Sequence, residues 1–168
     1  MDLNHLVGGA VNGAALAFVA IAVPRFTRQI LGATLVVAAL FYLWFAIAAH
    51  AGAAWVAVEL AGVAIYGVAA MRGVRGSAWW LVAGWTLHPV WDIALHLAGP
   101  GKSFAPAWYA TSCLTYDLIV AGIAAIAILI GTHLTGAPAR TSTPMVVSRL
   151  RPSTCSCGDC TCMAASAA

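Results

Sequence analysis

Charge is what this sequence is short of. Of its 168 residues only 8% are charged and 62% are apolar, against about 25% charged in an ordinary soluble domain. With a mean hydropathy of +0.92, this composition excludes a free-standing soluble domain and makes the lipid bilayer the expected solvent. The formal charge of +3 is too small, and its carriers too scattered, for nucleic-acid binding. No Lys or Arg precedes the first apolar run, so the basic start of a secretory signal is missing. That run reads as a retained helix, with the small residues Ala20 and Ala22 the one feature resembling a cleavage site. Internal repeats and the inverted symmetry of many transporters are also absent, and nothing indicates an organic cofactor.

What is present is a set of apolar runs near the roughly 20 residues that span a bilayer. Five are legible: about Leu6 to Val23, Ile30 to Ala49, Ala53 to Ala70, Trp79 to Leu97, and Trp108 to Ile130. Pro24-Arg25 stops the first, Met71-Arg-Gly-Val-Arg-Gly76 reads as a basic turn, and Ala98-Gly-Pro-Gly-Lys-Ser103 breaks the fourth. Lipid-exposed backbone must satisfy its own hydrogen bonds, so all five are expected as helices. The fold class is therefore all-α: a five-helix transmembrane bundle over residues 1–131, with a flexible Cys-rich tail over 132–168.

Lys/Arg asymmetry gives an orientation. Arg25 and Arg28, Arg72 and Arg75, and the tail residues Arg140, Arg149 and Arg151 fall on one side, with only Lys102 on the other. The expectation is a cell (inner or plasma) membrane protein with its N-terminus outside and its C-terminus in the cytoplasm. Gly9, Gly13 and Ala17 form a small-residue stripe on the first span, suited to close helix packing within the chain or to a homo-oligomer.

The acidic residues are few and oddly placed. Asp2 and Asp159 lie near the termini, whereas Glu59, Asp92 and Asp117 lie within spans three, four and five. Each costs about 2.5–3.5 kcal/mol to insert near mid-membrane, so such residues face the bundle interior and mark a functional site. At 1.5 Å per residue, Glu59 falls about 9 Å, Asp92 about 8 Å and Asp117 about 14 Å below the outer surface. His96 is expected near the mouth of the site, with His50 close by. On span four, His88, Asp92 and His96 drift by about 40° per four-residue step and share one face. The histidines are about 12 Å apart along an α-helix, too far for one ion to take both easily. A metal is therefore expected to use Asp92 with one histidine, plus carboxylates from neighbouring helices. Pro89 has no N–H and predicts a kink there. Tyr109, Cys113 and Asp117 share a face of span five. The bland alternative is that each acid finds a local partner and only orients helices.

The pattern Gly84-Trp85-x-x-His88-x-x-Trp91-Asp92-x-x-x-His96, then Phe104-Ala-Pro106, then Cys113-x-x-x-Asp117 resembles an uncharacterised family of small bacterial and fungal membrane proteins, a domain of unknown function. Glu59 and Arg72-Gly73 fit the same pattern, and the resemblance runs from about Trp55 to Ile130. It implies a multi-pass membrane protein with Glu59, His88, Asp92, His96, Cys113 and Asp117 as its signature. Leu95 stands where the family often has a further histidine.

The tail carries Cys155-Ser-Cys157-Gly-Asp-Cys160-Thr-Cys162. In a reducing cytoplasm these remain thiols, and soft thiolates select Zn(II) or Cu(I); on the oxidising side of a membrane they would instead form disulfides. The oxygen-rich membrane site and the sulfur-rich tail do not suit the same metal. Three functions follow. The first is binding or handling of a metal ion or proton. The second is zinc-dependent hydrolysis of a lipid or amphipathic substrate, with Glu59, Asp92 and Asp117 as catalytic candidates. The third is a packing or interaction subunit.

Overall fold

The computed structural model describes residues 2–131. The tail, with Cys155, Cys157, Cys160 and Cys162, lies outside the described residues. The described residues form five α-helices: α1 Leu3–Ala22, α2 Thr27–Ala48, α3 Ala53–Arg75, α4 Trp79–Trp91 and α5 Ala107–Leu129. α4 continues as a π-helical turn over Asp92–Leu97, and a 3₁₀ turn, Pro100–Ser103, leads towards α5. No strand occurs among the described residues.

Four of the helices, α1, α2, α3 and α5, are long and apolar enough to cross a membrane. Large apolar side chains cover their outer faces, among them Leu3, Phe18, Trp44, Leu60, Ile65 and Leu129. A surface of that kind is stable against acyl chains and not against water. Exposed Trp44 and Trp108 near one end, and Trp79 and Trp80 near the other, sit where interfacial aromatic belts form.

One expected boundary moves. The basic stretch from Met71 onward, expected as a turn, is the last turn of α3, which ends only at Arg75. Nothing before Gly76 breaks a helix, and Arg72 and Arg75 sit favourably at the negative end of the helix dipole. Arg28 Nη1 then donates to the Gly76 carbonyl at 2.7 Å, tying the start of α2 to the end of α3.

Around the bundle α1 packs on α5, α5 on α4, α4 on α3, α3 on α2, and α2 back on α1, while α4 also touches α2. Small residues set the closest approaches. Gly9, Gly13, Ala17 and Ala20 are the buried face of α1. A methyl group on Gly13 would fall 2.5 Å from the Tyr116 carbonyl oxygen, and one on Gly9 would overlap the Ser112 carbonyl. Gly9 and Gly13 therefore pack on α5 of the same chain, the first of the stripe's two expected uses. Thr115 Oγ1 donates to the Leu6 carbonyl at 2.7 Å across that seam.

Two apolar clusters fill the interior. One gathers Leu31, Leu35, Tyr66, Leu81, Trp85 and Val120; the other gathers Tyr42, Phe45, Ala105 and Ala110. Along α5 the second cluster holds Ala110 and the first holds Val120, Ala121 and Ala124. Cys113 and Asp117 fall between them in sequence, at the level of a polar layer.

The α1–α5 seam can be tested by opposite signs at neighbouring glycines. Gly13→Ala should lower thermal stability in detergent by about 1–3 kcal/mol through overpacking. Gly8, with nothing within 4 Å of an added methyl, should gain about 0.5–1 kcal/mol on replacement by Ala. Equal shifts at both positions would refute the seam.

Candidate functional site

The polar layer is built mainly from α4. Up to His88 the helix is regular, and its buried side is Leu81, Gly84, Trp85 and His88. Trp85, fully buried, anchors that side by donating its indole N–H to the Leu31 carbonyl at 3.2 Å. Pro89 removes one backbone donor. One turn later the Asp92 N–H is shared between the His88 and Pro89 carbonyls, and the helix widens until Ala98 N–H bonds the Ile93 carbonyl at 2.8 Å. Beyond Pro89 the helix passes into a π-turn over Asp92–Leu97, a feature that often marks functional sites.

The wide turn changes which way His96 faces. In an α-helix two four-residue steps would carry it about 80° from His88. With i→i+5 bonding a four-residue step no longer completes a turn, so the second step reverses the drift of the first. His88, Asp92 and His96 all end with no exposed surface. The expectation that His96 lies near a mouth is corrected: it is sealed inside. His50, expected nearby, is exposed in the α2–α3 turn with φ +51° and takes no part.

Glu59 from α3 and Asp117 from α5 complete the layer, 2% and 0% exposed. His88 Nδ1 donates to Asp117 Oδ2 at 2.8 Å and lies 3.5 Å from Asp92 Oδ2. Ligand atoms of His88, Asp92 and Asp117 all fall within 4.8 Å of one another. His96 Nε2 lies 3.5 Å from Glu59 Oε1. The five residues expected at one site therefore divide into a central cluster of three and a pair. Cys113 is buried one turn before Asp117 on α5 and is a free thiol. Tyr109 turns its hydroxyl to the Ala38 carbonyl at 3.2 Å.

Two tyrosines and a glycine complete the site, and none of them stands out in the sequence. The Tyr42 ring stacks on His96 with centroids 3.9 Å apart and planes 9° from parallel, and lies 6.0 Å from the His88 ring. Tyr66 packs on His88 at 4.9 Å. Gly101, in the 3₁₀ turn, backs the other histidine: a methyl group there would fall 2.6 Å from His96 Nδ1. Tyr42 belongs to the buried stripe Leu31, Leu35, Ala38, Tyr42, Phe45, so periodicity gives its burial but not its partner.

The electrostatics are unusual. Among the described residues, eight buried side-chain N and O atoms have no hydrogen-bond partner in the chain. They are Tyr42 Oη, Glu59 Oε1, His88 Nε2, both Asp92 oxygens, both His96 nitrogens and Asp117 Oδ1. Each such atom costs about 1–3 kcal/mol if left unpaired. The ion pairs the three carboxylates make are with histidine, while Arg25, Arg72, Arg75 and Lys102 are exposed in or beside loops.

The His88–Asp117 bond supplies a stability test. Asp117→Ala should cost about 3–5 kcal/mol, because it strands a buried polar partner. Asp117→Asn, whose amide oxygen still accepts from Nδ1–H, should cost clearly less. Thermal unfolding of both variants in detergent checks the order, and equal losses would contradict it.

No similar protein was found among the curated proteins, and none among the solved structures. A sequence profile does match, over residues 4–132. It therefore takes in α1 and α2, beyond the stretch from Trp55 to Ile130 that carries the motif. That profile is DUF6010, a family of unknown function, and the chain belongs to it.

Proposed function

We propose that this protein binds a divalent metal ion within the membrane, at His88, Asp92 and Asp117. The observation that carries the reading is the convergence of these three ligand atoms within 4.8 Å, with both Asp92 oxygens buried and engaged by no close hydrogen bond. Two ligands of one tetrahedral ion at ~2.0–2.2 Å sit about 3.3 Å apart. The 3.5 Å between His88 Nδ1 and Asp92 Oδ2 fits that spacing. The 2.8 Å between His88 Nδ1 and Asp117 Oδ2 would open by about half an ångström to admit an ion, or persist as the bond that orients a histidine ligating through Nε2.

Charge supports the same reading. Fully ionised, Glu59, Asp92 and Asp117 would place three negative charges in a low-dielectric interior, where like charges raise one another's energy. A dication offsets two of them. One imidazole nitrogen with carboxylate oxygens suits zinc, manganese or iron over soft copper(I). Protons are the competing neutralising agent, and they would leave the cluster as an orienting network.

Hydrolysis is less well supported. All three residues of the central cluster have no exposed surface. The cavity of about 320 Å³ between α1, α2 and α5 is lined by Tyr109 and Cys113 but by none of the three. Bound metal there would meet no substrate without opening of the bundle. The Lys/Arg distribution favours an N-terminus outside and α3–α4 turn in the cytoplasm, which puts the polar layer in the outer half. The tail thiols would form a separate, softer site for Zn(II) or Cu(I).

Two measurements check these points in full-length protein with Cys155, Cys157, Cys160 and Cys162 replaced by Ser. Elemental analysis after exposure to zinc should find bound metal, and less of it in Asp92→Asn/Asp117→Asn; a metal-free parent, or metal content unchanged by the double substitution, would refute binding at this cluster. For orientation, Ser103→Cys should react with a membrane-impermeant maleimide on intact cells, and Ser77→Cys should not. The reverse labelling would invert the topology.

A further inference from the structure

We propose that His96 and Glu59 form a second divalent-cation site, separate from the central cluster and weaker than it, in which water completes the coordination. The inference rests on the reading of the layer as cation-binding and adds a second position to it.

Three observations carry it. First, His96 Nε2 and Glu59 Oε1 are 3.5 Å apart, yet neither has a hydrogen-bond partner. A charge-assisted histidine–carboxylate bond would close to about 2.7–2.9 Å, whereas two ligands of one zinc-type ion sit about 3.3 Å apart. The pair keeps the ligand spacing and not the hydrogen-bond spacing. Second, both side chains are built into the interior, with 0% and 2% exposure, and the only ion pair Glu59 makes among the described residues is this one. Third, the ring is held from three sides. Tyr42 stacks on one face, Phe104 meets it edge-on at 5.7 Å, and Gly101 closes against Nδ1. Nε2 is thereby left as the nitrogen presented to Glu59.

The two sites are distinct. The compact ligand group comprises His88, Asp92 and Asp117 without His96 or Glu59, and the Tyr42 ring stacks on His96 at 3.9 Å while standing tilted and 6.0 Å from His88. Two protein donors make fewer bonds than three, so the second ion is the more weakly held and the more exchangeable. It lies against the Pro100–Ser103 turn, whose Gly101 closes on the His96 ring.

The test is a Co²⁺ titration of full-length protein in detergent, with the four tail cysteines replaced by Ser, followed by equilibrium dialysis and elemental analysis. The expected result is two equivalents per chain. The weaker equivalent should be lost in Glu59→Gln and in His96→Asn while the tighter one stays. Gly101→Ala replaces neither donor; its methyl would meet the His96 ring at 2.6 Å and the Leu95 carbonyl at 2.7 Å, and should weaken the second equivalent about 10- to 100-fold. Should either donor variant fail to fold, Gly101→Ala decides. A parent with one equivalent, removed by Asp117→Asn but indifferent to Glu59→Gln, overturns the second site and leaves the central one standing. Two equivalents unaffected by Glu59→Gln, His96→Asn and Gly101→Ala also overturn it. A parent with no bound cobalt removes the central site, and this one with it.

Discussion

A carboxylate sealed inside a bilayer-spanning bundle costs about 2.5–3.5 kcal/mol to place there, and this chain seals in three. No backbone device can relieve that cost, because helical N–H groups are already committed to their own carbonyls. Relief must come from histidine, water, protons or a metal ion. The arrangement of α3, α4 and α5 follows from the need: Glu59, Asp92 and Asp117 come from three different helices, and two histidines from α4 and its π-turn are set among them. Apolar clusters above and below keep bulk water out. The same exclusion strengthens every electrostatic interaction within the layer.

The π-turn is the local device that makes the layer possible. On an unbroken α-helix, the face bearing His88 and Asp92 would rotate away before reaching His96. Slipping one residue in the ladder over Asp92–Leu97 turns His96 back inward, where Tyr42 stacks on it. Small residues then allow the helices to approach. Gly62 accepts the edge of Trp91, a methyl there falling 3.0 Å from its ring, and Gly84 lies against Leu35. Packing of this kind positions polar side chains by steric fit, since the lipid supplies no hydrophobic force between helices.

Much of this was legible from residue order alone. Apolar run length locates the five helices, and the cost of burying charge singles out Glu59, Asp92 and Asp117. The four-residue spacing puts His88 and Asp92 on one face. What escaped has a common physical cause: it depends on departures from ideal helix geometry or on contacts between distant residues. The helical Arg72 and Arg75 looked like a turn because charge ends a membrane span without ending a helix. The division into a central cluster and a His96–Glu59 pair required the π-turn, which no periodicity announces. Tyr42 and Gly101 act through a stack and a close approach, and both are fixed only when α2 and the 3₁₀ turn meet α4.

X-ray absorption of the zinc-loaded, full-length protein with the four tail cysteines replaced by Ser tests the central claim most directly. The account predicts a first shell of nitrogen and oxygen at ~2.0–2.2 Å, with imidazole scattering that disappears in His88→Asn/His96→Asn. A sulfur shell near ~2.3 Å, or zinc with no imidazole signature, would contradict it.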